Sequence, residues 1–117
     1  MKVYVAAKWE DRVAANRLMN RLIMAGHTIT RNWTQCDQFS PEQAGNDMHG
    51  VMMADAFVFL AEKPLAYKGA YTEFGMALAR GIPIYLLGHG ADANIFTQLP
   101  QIHRTLDPLL ERAYTGA

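Results

Sequence analysis

Residues 56–60 read Ala56-Phe57-Val58-Phe59-Leu60. Five consecutive apolar residues leave a strand no solvent face. The run therefore predicts a central strand of a parallel sheet, covered by helices on both sides. Before it, Ser40-Pro41-Glu42-Gln43 is a strong helix start, with serine as cap, proline at the first helical position and glutamine three residues after the cap. Ala44, Met48, Val51 and Met52 predict the buried stripe of that helix, which ends near Met53. After the strand, residues 70–80 carry apolar side chains at 70, 74, 77 and 78, and Gly81 is the stop. In this helix Gly75 and Ala79 predict a close approach to the sheet. Residues 83–87 form the next strand, with Pro83 at its first position, where it is tolerated.

The same alternation extends toward the N-terminus. Residues 2–7 (KVYVAA) are β-rich. Glu10 and Asp11 place negative charge at the start of a helix over 11–25, in which Leu18, Leu22 and Ala25 recur at helical spacing and Gly26 is the stop. Residues 27–34 (HTITRNWT) read as a second strand and 36–39 as loop. In the tail, 94–99 reads as a helical turn, 102–106 as a short fifth strand and 108–113 as a final helix. Strands alternating with helices predict a parallel sheet with helices on both faces. Ligands of such folds bind at the carboxyl ends of the strands. The loops to search are 7–11, 34–40, 61–72 and 88–94.

The chain has 117 residues, enough for one domain with its own core. Eleven Lys and Arg balance eleven Asp and Glu. A neutral protein of this kind is not expected to bind polymeric nucleic acid or an anionic membrane surface, which leaves a small ligand or a protein partner. No uncharged run approaches the ~18 residues of a membrane span. Residues 1–10 carry three charges in a strand-like run, unlike a signal peptide. Cys36 is the only cysteine. It allows no internal disulfide and no cysteine-based zinc site, and it suits a reducing cytoplasm. No cofactor and no metal are expected.

Several residues can carry chemistry. Glu73 stands one turn into the helix after the central strand, at the ligand edge. The helix dipole favours its ionised form at neutral pH, and a carboxylate held there suits attack on a sugar carbon. The plainer reading is an acid placed by the dipole alone. Asp47 borders an apolar stripe, where an acid keeps its proton longer, as a general acid must. It equally fits a solvated helix edge. Asp55, at the amino end of the central strand, reads as a turn residue. Tyr4 reads as a core ring whose hydroxyl reaches a polar neighbour. Trp9 and Trp33 follow strands and can stack on a nucleobase or cover the core rim. Lys8, Arg12 and Lys68 can meet a phosphate or be solvated charges. Gly88-His89-Gly90-Ala91-Asp92-Ala93 fits a loose dinucleotide pattern, but it follows the wrong strand. The four histidines never pair at i, i+4, and the single serine is explained as a cap.

Taken together, Gly45-Asn46-Asp47-Met48, Ala54-Asp55-Ala56-Phe57-Val58, Gly69-Ala70-Tyr71-Thr72-Glu73-Phe74-Gly75-Met76-Ala77 and Gly81-Ile82-Pro83-Ile84 resemble the nucleoside 2-deoxyribosyltransferase superfamily. That group includes deoxynucleoside monophosphate N-glycosidases. Val3-Tyr4-Val5-Ala6-Ala7 is similar to its first strand. The resemblance implies a single flavodoxin-like (Rossmann-like) three-layer α/β sandwich over 1–117, with a parallel sheet of four to five strands. It implies attack by Glu73 on C1′ of a deoxyribose, with Asp47 contacting or protonating the base and Tyr4 hydrogen-bonding the nucleophile. It also implies a nucleoside or nucleotide ligand and a homo-oligomer, a dimer or higher. Trp9, Lys8, Trp33, Tyr67, Lys68 and Gly69 are the expected substrate contacts. Six residues before the glutamate, Tyr67 replaces the aspartate of transferases and the serine of monophosphate hydrolases. A non-catalytic nucleotide sensor and an NAD-type glycohydrolase are the alternatives.

Overall fold

A computed structural model describes residues 1–36, 40–64 and 66–114. The elements in chain order are β1 (Lys2–Ala6), a 3₁₀ turn (Trp9–Asp11), α1 (Arg12–Met24), β2 (Thr28–Ile29), α2 (Pro41–Met52) and β3 (Ala56–Leu60). There follow α3 (Lys68–Arg80), β4 (Ile84–Leu87), a second 3₁₀ turn (Ile95–Gln98) and α4 (Asp107–Tyr114). The four strands are parallel in the order β2-β1-β3-β4. This is a flavodoxin-like α/β sandwich, and its switch point lies between β1 and β3.

The two-residue period of the strands divides the core. Val3, Val5, Ala56, Val58 and Leu60 pack against α1 and α4 through Leu18, Met19, Leu22 and Leu109. Tyr4, Ala6, Phe57 and Phe59 point the other way, toward Val51 of α2 and Phe74 and Ala77 of α3. Phe59 meets Tyr67, Tyr71 and Phe74 at ring separations of 5.4–5.9 Å. All five residues of β3 are buried, as the apolar run predicts. Asp55 accepts from the Lys2 amide at 2.9 Å at the amino end of the sheet, so its side chain ties the starts of β1 and β3 rather than capping a local turn.

The structure corrects several sequence expectations. The second strand is two residues long, not eight. Thr30 N still reaches Val3 O, but the next ladder acceptor, Val5 O, is taken by the Trp33 indole N–H at 2.7 Å. A side chain thus replaces the backbone partner, and the edge strand ends. The α2 stripe is not buried as a whole. Val51 is buried together with Gly50, whereas Ala44, Met48 and Met52 are exposed. Helix α3 begins at Lys68 rather than residue 70, and it meets the sheet through Ala70, Phe74 and Ala77. Gly75 and Ala79 face outward, so they do not serve close packing. The fifth strand over 102–106 reduces to one bridge, Tyr85 to His103, because the chain turns at once to bury Leu106 and Leu109 on the α1 face. Of the expected loop at 36–39, residues 37–39 lie outside the described residues.

Candidate active site

At the carboxyl edge, loops after β1, β2 and β3 and the near ends of α2 and α3 enclose a cavity of about 990 Å³. Lys8, Trp9, Trp33, Asp47, Tyr67, Lys68, Gly69 and Glu73 all line it. The fourth candidate loop, 88–94, does not. Its glycines serve a close approach instead: Gly90 N donates to Ala61 O at 2.6 Å, and a Cβ on Gly90 would stand 1.9 Å from Lys63 O. This accounts for the glycines of the loose dinucleotide pattern.

Glu73 is the sixth residue of α3 and only partly exposed. The Tyr4 hydroxyl, from the middle of β1, donates to its Oε2. Burial pushes the Glu73 carboxyl up to about 7; the Tyr4 hydrogen bond opposes the rise, and the Asp47 charge adds to it. The expectation that the dipole favours ionised Glu73 at neutral pH therefore meets an opposing effect, burial, which favours the protonated form. The dipole acts within the first turn, and the earlier helix start places Glu73 beyond it. Burial and Glu73 also hold the Tyr4 phenol far above its ordinary range, so it stays a neutral donor.

Asp47 is partly buried on α2. Burial raises its carboxyl, opposed by the Arg31 guanidinium, whose Nε lies 3.2 Å from Asp47 Oδ1. Arg31 also donates to the Gln43 amide oxygen and, at 3.4 Å, to Cys36 Sγ. Sequence reading missed Arg31, because it sits inside a stretch read as strand. The Ser40-Pro41-Glu42-Gln43 pattern predicts Gln43 as a cap partner. Its backbone N–H does bond Ser40 Oγ at 3.2 Å, but its side chain goes to Arg31, so only half of a capping box forms.

The remaining candidates divide by what holds them. Trp33 lines the cavity while its indole is anchored on Val5. Tyr67 is buried, its ring edge-on to Phe59 and its hydroxyl donating to Lys63 O at 2.5 Å, so it builds the cavity floor and ties the loop. Lys8 donates to Ala66 O at 2.6 Å, joining the loops after β1 and β3. Arg12 lies 4.5 Å over the Trp9 ring and does not line the cavity. Lys63 pairs at 2.7 Å with buried Asp11. Lys68 is exposed at the first position of α3. Among the described residues no group of three His, Cys, Asp or Glu is placed to hold a metal. None of their helices is long and apolar enough to cross a membrane.

No protein-family model matches the sequence, and a search of curated proteins finds no match. Solved structures do share the fold. A CMP N-glycosidase, BcmB, from Clostridium botulinum superposes with a TM-score of 0.64 at 21% identity, covering 98% of this chain and 99% of that one. A 2-deoxyribosyltransferase from Bacillus psychrosaccharolyticus gives 0.62 at 22% identity over 76% of this chain and 73% of its own. A conserved protein from Enterococcus faecalis V583 gives 0.61 at 19% identity over 96% and 87%. At these identities the likeness shows the fold. The resemblance read from the sequence motifs is met at that level.

Proposed function

We propose that the chain cleaves or exchanges the N-glycosidic bond of a deoxynucleoside or its 5′-monophosphate, with Glu73 as nucleophile. The observation that carries this reading is the Glu73 carboxyl at the cavity wall, held by the Tyr4 hydroxyl at the switch point of the sheet. A carboxylate oxygen attacks C1′, the C1′–N bond breaks, and the base leaves with its electron pair. Asp47 delivers a proton to that base as general acid. The sugar is then held as an ester of Glu73, which water hydrolyses or an acceptor base displaces. A carboxyl raised to about 7 is still ionised in part at neutral pH, which supplies the nucleophilic form.

Trp9 and Trp33 are proposed to flank the ligand. Lys68 and the free N–H groups at the start of α3, around Gly69, are proposed to meet a 5′-phosphate. No carboxylate stands between Lys63 and Thr72 to repel one. Tyr67 shapes the floor on which the sugar rests. A homo-oligomer fits the exposed Met48 and Met52 of α2, since Met48 also forms cavity wall. The one free cysteine fits the cytoplasm.

The test is base release, followed by chromatography, from a panel of nucleosides, their monophosphates and NAD, with wild type and Glu73→Gln. Release by wild type and loss by several orders of magnitude in the variant is expected. Wild-type turnover by Glu73→Gln would remove the covalent mechanism. Binding without release would favour a sensor.

A further inference from the structure

Arg31 does not line the cavity, yet three residues that do line it are tied to it. Its guanidinium bonds Asp47 Oδ1, the Gln43 amide oxygen and Cys36 Sγ. Asp47 and Gln43 stand four residues apart on one face of α2, and Cys36 belongs to the segment after β2. One planar fork thus fastens that segment to the cavity face of the helix. The place for it is built. Thr30 Oγ1 donates to Gly50 O at 2.8 Å. A Cβ on Gly50 would stand 2.7 Å from Arg31 Cβ, so the arginine stem rests where only a glycine leaves room.

A guanidinium has donors and no acceptor. Gln43 must therefore turn its amide oxygen to Arg31 and its NH₂ away. Asp47 gives Oδ1 to Arg31 and keeps Oδ2. We infer that Arg31 is a positioning residue that, from behind the wall, fixes Asp47 and Gln43 so that a carboxyl oxygen and an amide N–H group meet the base of the ligand. The role of the base rests on the N-glycosidic reading above. An ionised Asp47 beside the Gln43 N–H complements a heterocycle edge that carries a donor beside an acceptor, as amino- and oxo-substituted bases do, and the protonated form that serves as general acid gives its O–H to an acceptor of that edge instead. The groups that interact with Asp47 are Arg31 from the segment after β2, Tyr4 from β1 and Glu73 from α3. Among them Arg31 opposes the effect of burial on the Asp47 proton.

Two variants test this. Arg31→Met keeps the stem and removes every donor. Arg31→Lys keeps the charge and removes the fork. The readouts are the Asp47 carboxyl titration by ¹³C NMR, and kcat and KM for a mononucleotide that wild type turns over. In Arg31→Met the Asp47 titration should move up by about one pH unit or more. Its KM should rise about tenfold or more, with Tm within a few degrees. Arg31→Lys should return the titration toward wild type but not the KM. An unmoved Asp47 titration in folded Arg31→Met overturns the inference. If Arg31→Met does not fold, wild-type KM in Arg31→Lys overturns it and a raised KM with a near-wild-type titration supports it. Absence of any turnover by wild type overturns the N-glycosidic reading instead, and the Asp47 titration in the variants then decides the hold of Arg31 on Asp47.

Discussion

The Tyr4 hydroxyl donates to Glu73 Oε2 across 69 positions of sequence, joining the centre of β1 to α3. A neutral donor aimed at a carboxyl favours its charged form. Tyr4→Phe should therefore raise the Glu73 carboxyl above its value of about 7. With a substrate whose leaving group needs no proton, kcat/KM should climb with pH as Glu73 ionises. In Tyr4→Phe that climb should move to higher pH. A profile with the same midpoint would show that the phenol does not act on the nucleophile.

Glu73 also links stability to pH. Its carboxyl titrates at 4.5 in an ordinary setting and at about 7 in the fold. Between those values the unfolded chain has released a proton that the folded chain keeps, so stability falls as pH rises. The loss is complete above about pH 7 and is at most about 3 kcal/mol. Glu73→Gln has no such titration. It should exceed wild type in stability at pH 8, with the advantage closing toward pH 4.5. Urea unfolding at several pH values measures this, and parallel curves for the two proteins would count against a shifted Glu73.

Asp47 should matter in proportion to the need for a proton. Asp47→Asn should slow an ordinary nucleotide far more than one with an activated leaving group. Equal slowing of both would assign Asp47 to positioning alone.

Gly50 separates packing from helix propensity. In Gly50→Ala the new methyl would stand 2.7 Å from Arg31 Cβ and 3.0 Å from two Tyr4 ring atoms. Overpacking of this kind costs about 1–3 kcal/mol, more than the roughly 1 kcal/mol that alanine adds to a helix. Gly75→Ala in α3 meets nothing within 4 Å and should stabilise. Urea midpoints should therefore move in opposite directions, and Gly50→Ala should also lose activity.

Lys68 should favour a 5′-phosphate. One charge-assisted contact is worth about 1.5–3 kcal/mol, so a deoxynucleoside monophosphate should bind roughly tenfold to a hundredfold tighter than the nucleoside. Exposure of Lys68 means that added salt should narrow the gap. Calorimetry with both ligands, on wild type and Lys68→Ala, measures it. Equal affinities, or a preference that survives Lys68→Ala, would take the phosphate away from Lys68.

The order of elements was legible from local pattern. Ala56–Leu60 announces a strand covered on both faces, Ser40-Pro41 a helix start, and Gly81 a stop, where φ is 72°. The alternation of Val3, Tyr4 and Val5 already divides the two core layers. Such signals are local because hydrogen-bond geometry and side-chain period are local. The candidate acids are legible for local reasons too: Glu73 by its place one turn into the helix after the central strand, Asp47 by its position beside an apolar stripe. Other features needed the assembled fold. The length of β2 was decided by the Trp33 side chain taking the carbonyl of Val5, a contact between residues 28 apart. The α2 stripe became cavity wall at Ala44 and Met48 because apolar spacing reports a face, not what covers it. Arg31 gained its place from a missing Cβ on Gly50. The Glu73 proton is held near neutrality by desolvation, which depends on everything packed around the carboxyl rather than on its own helix.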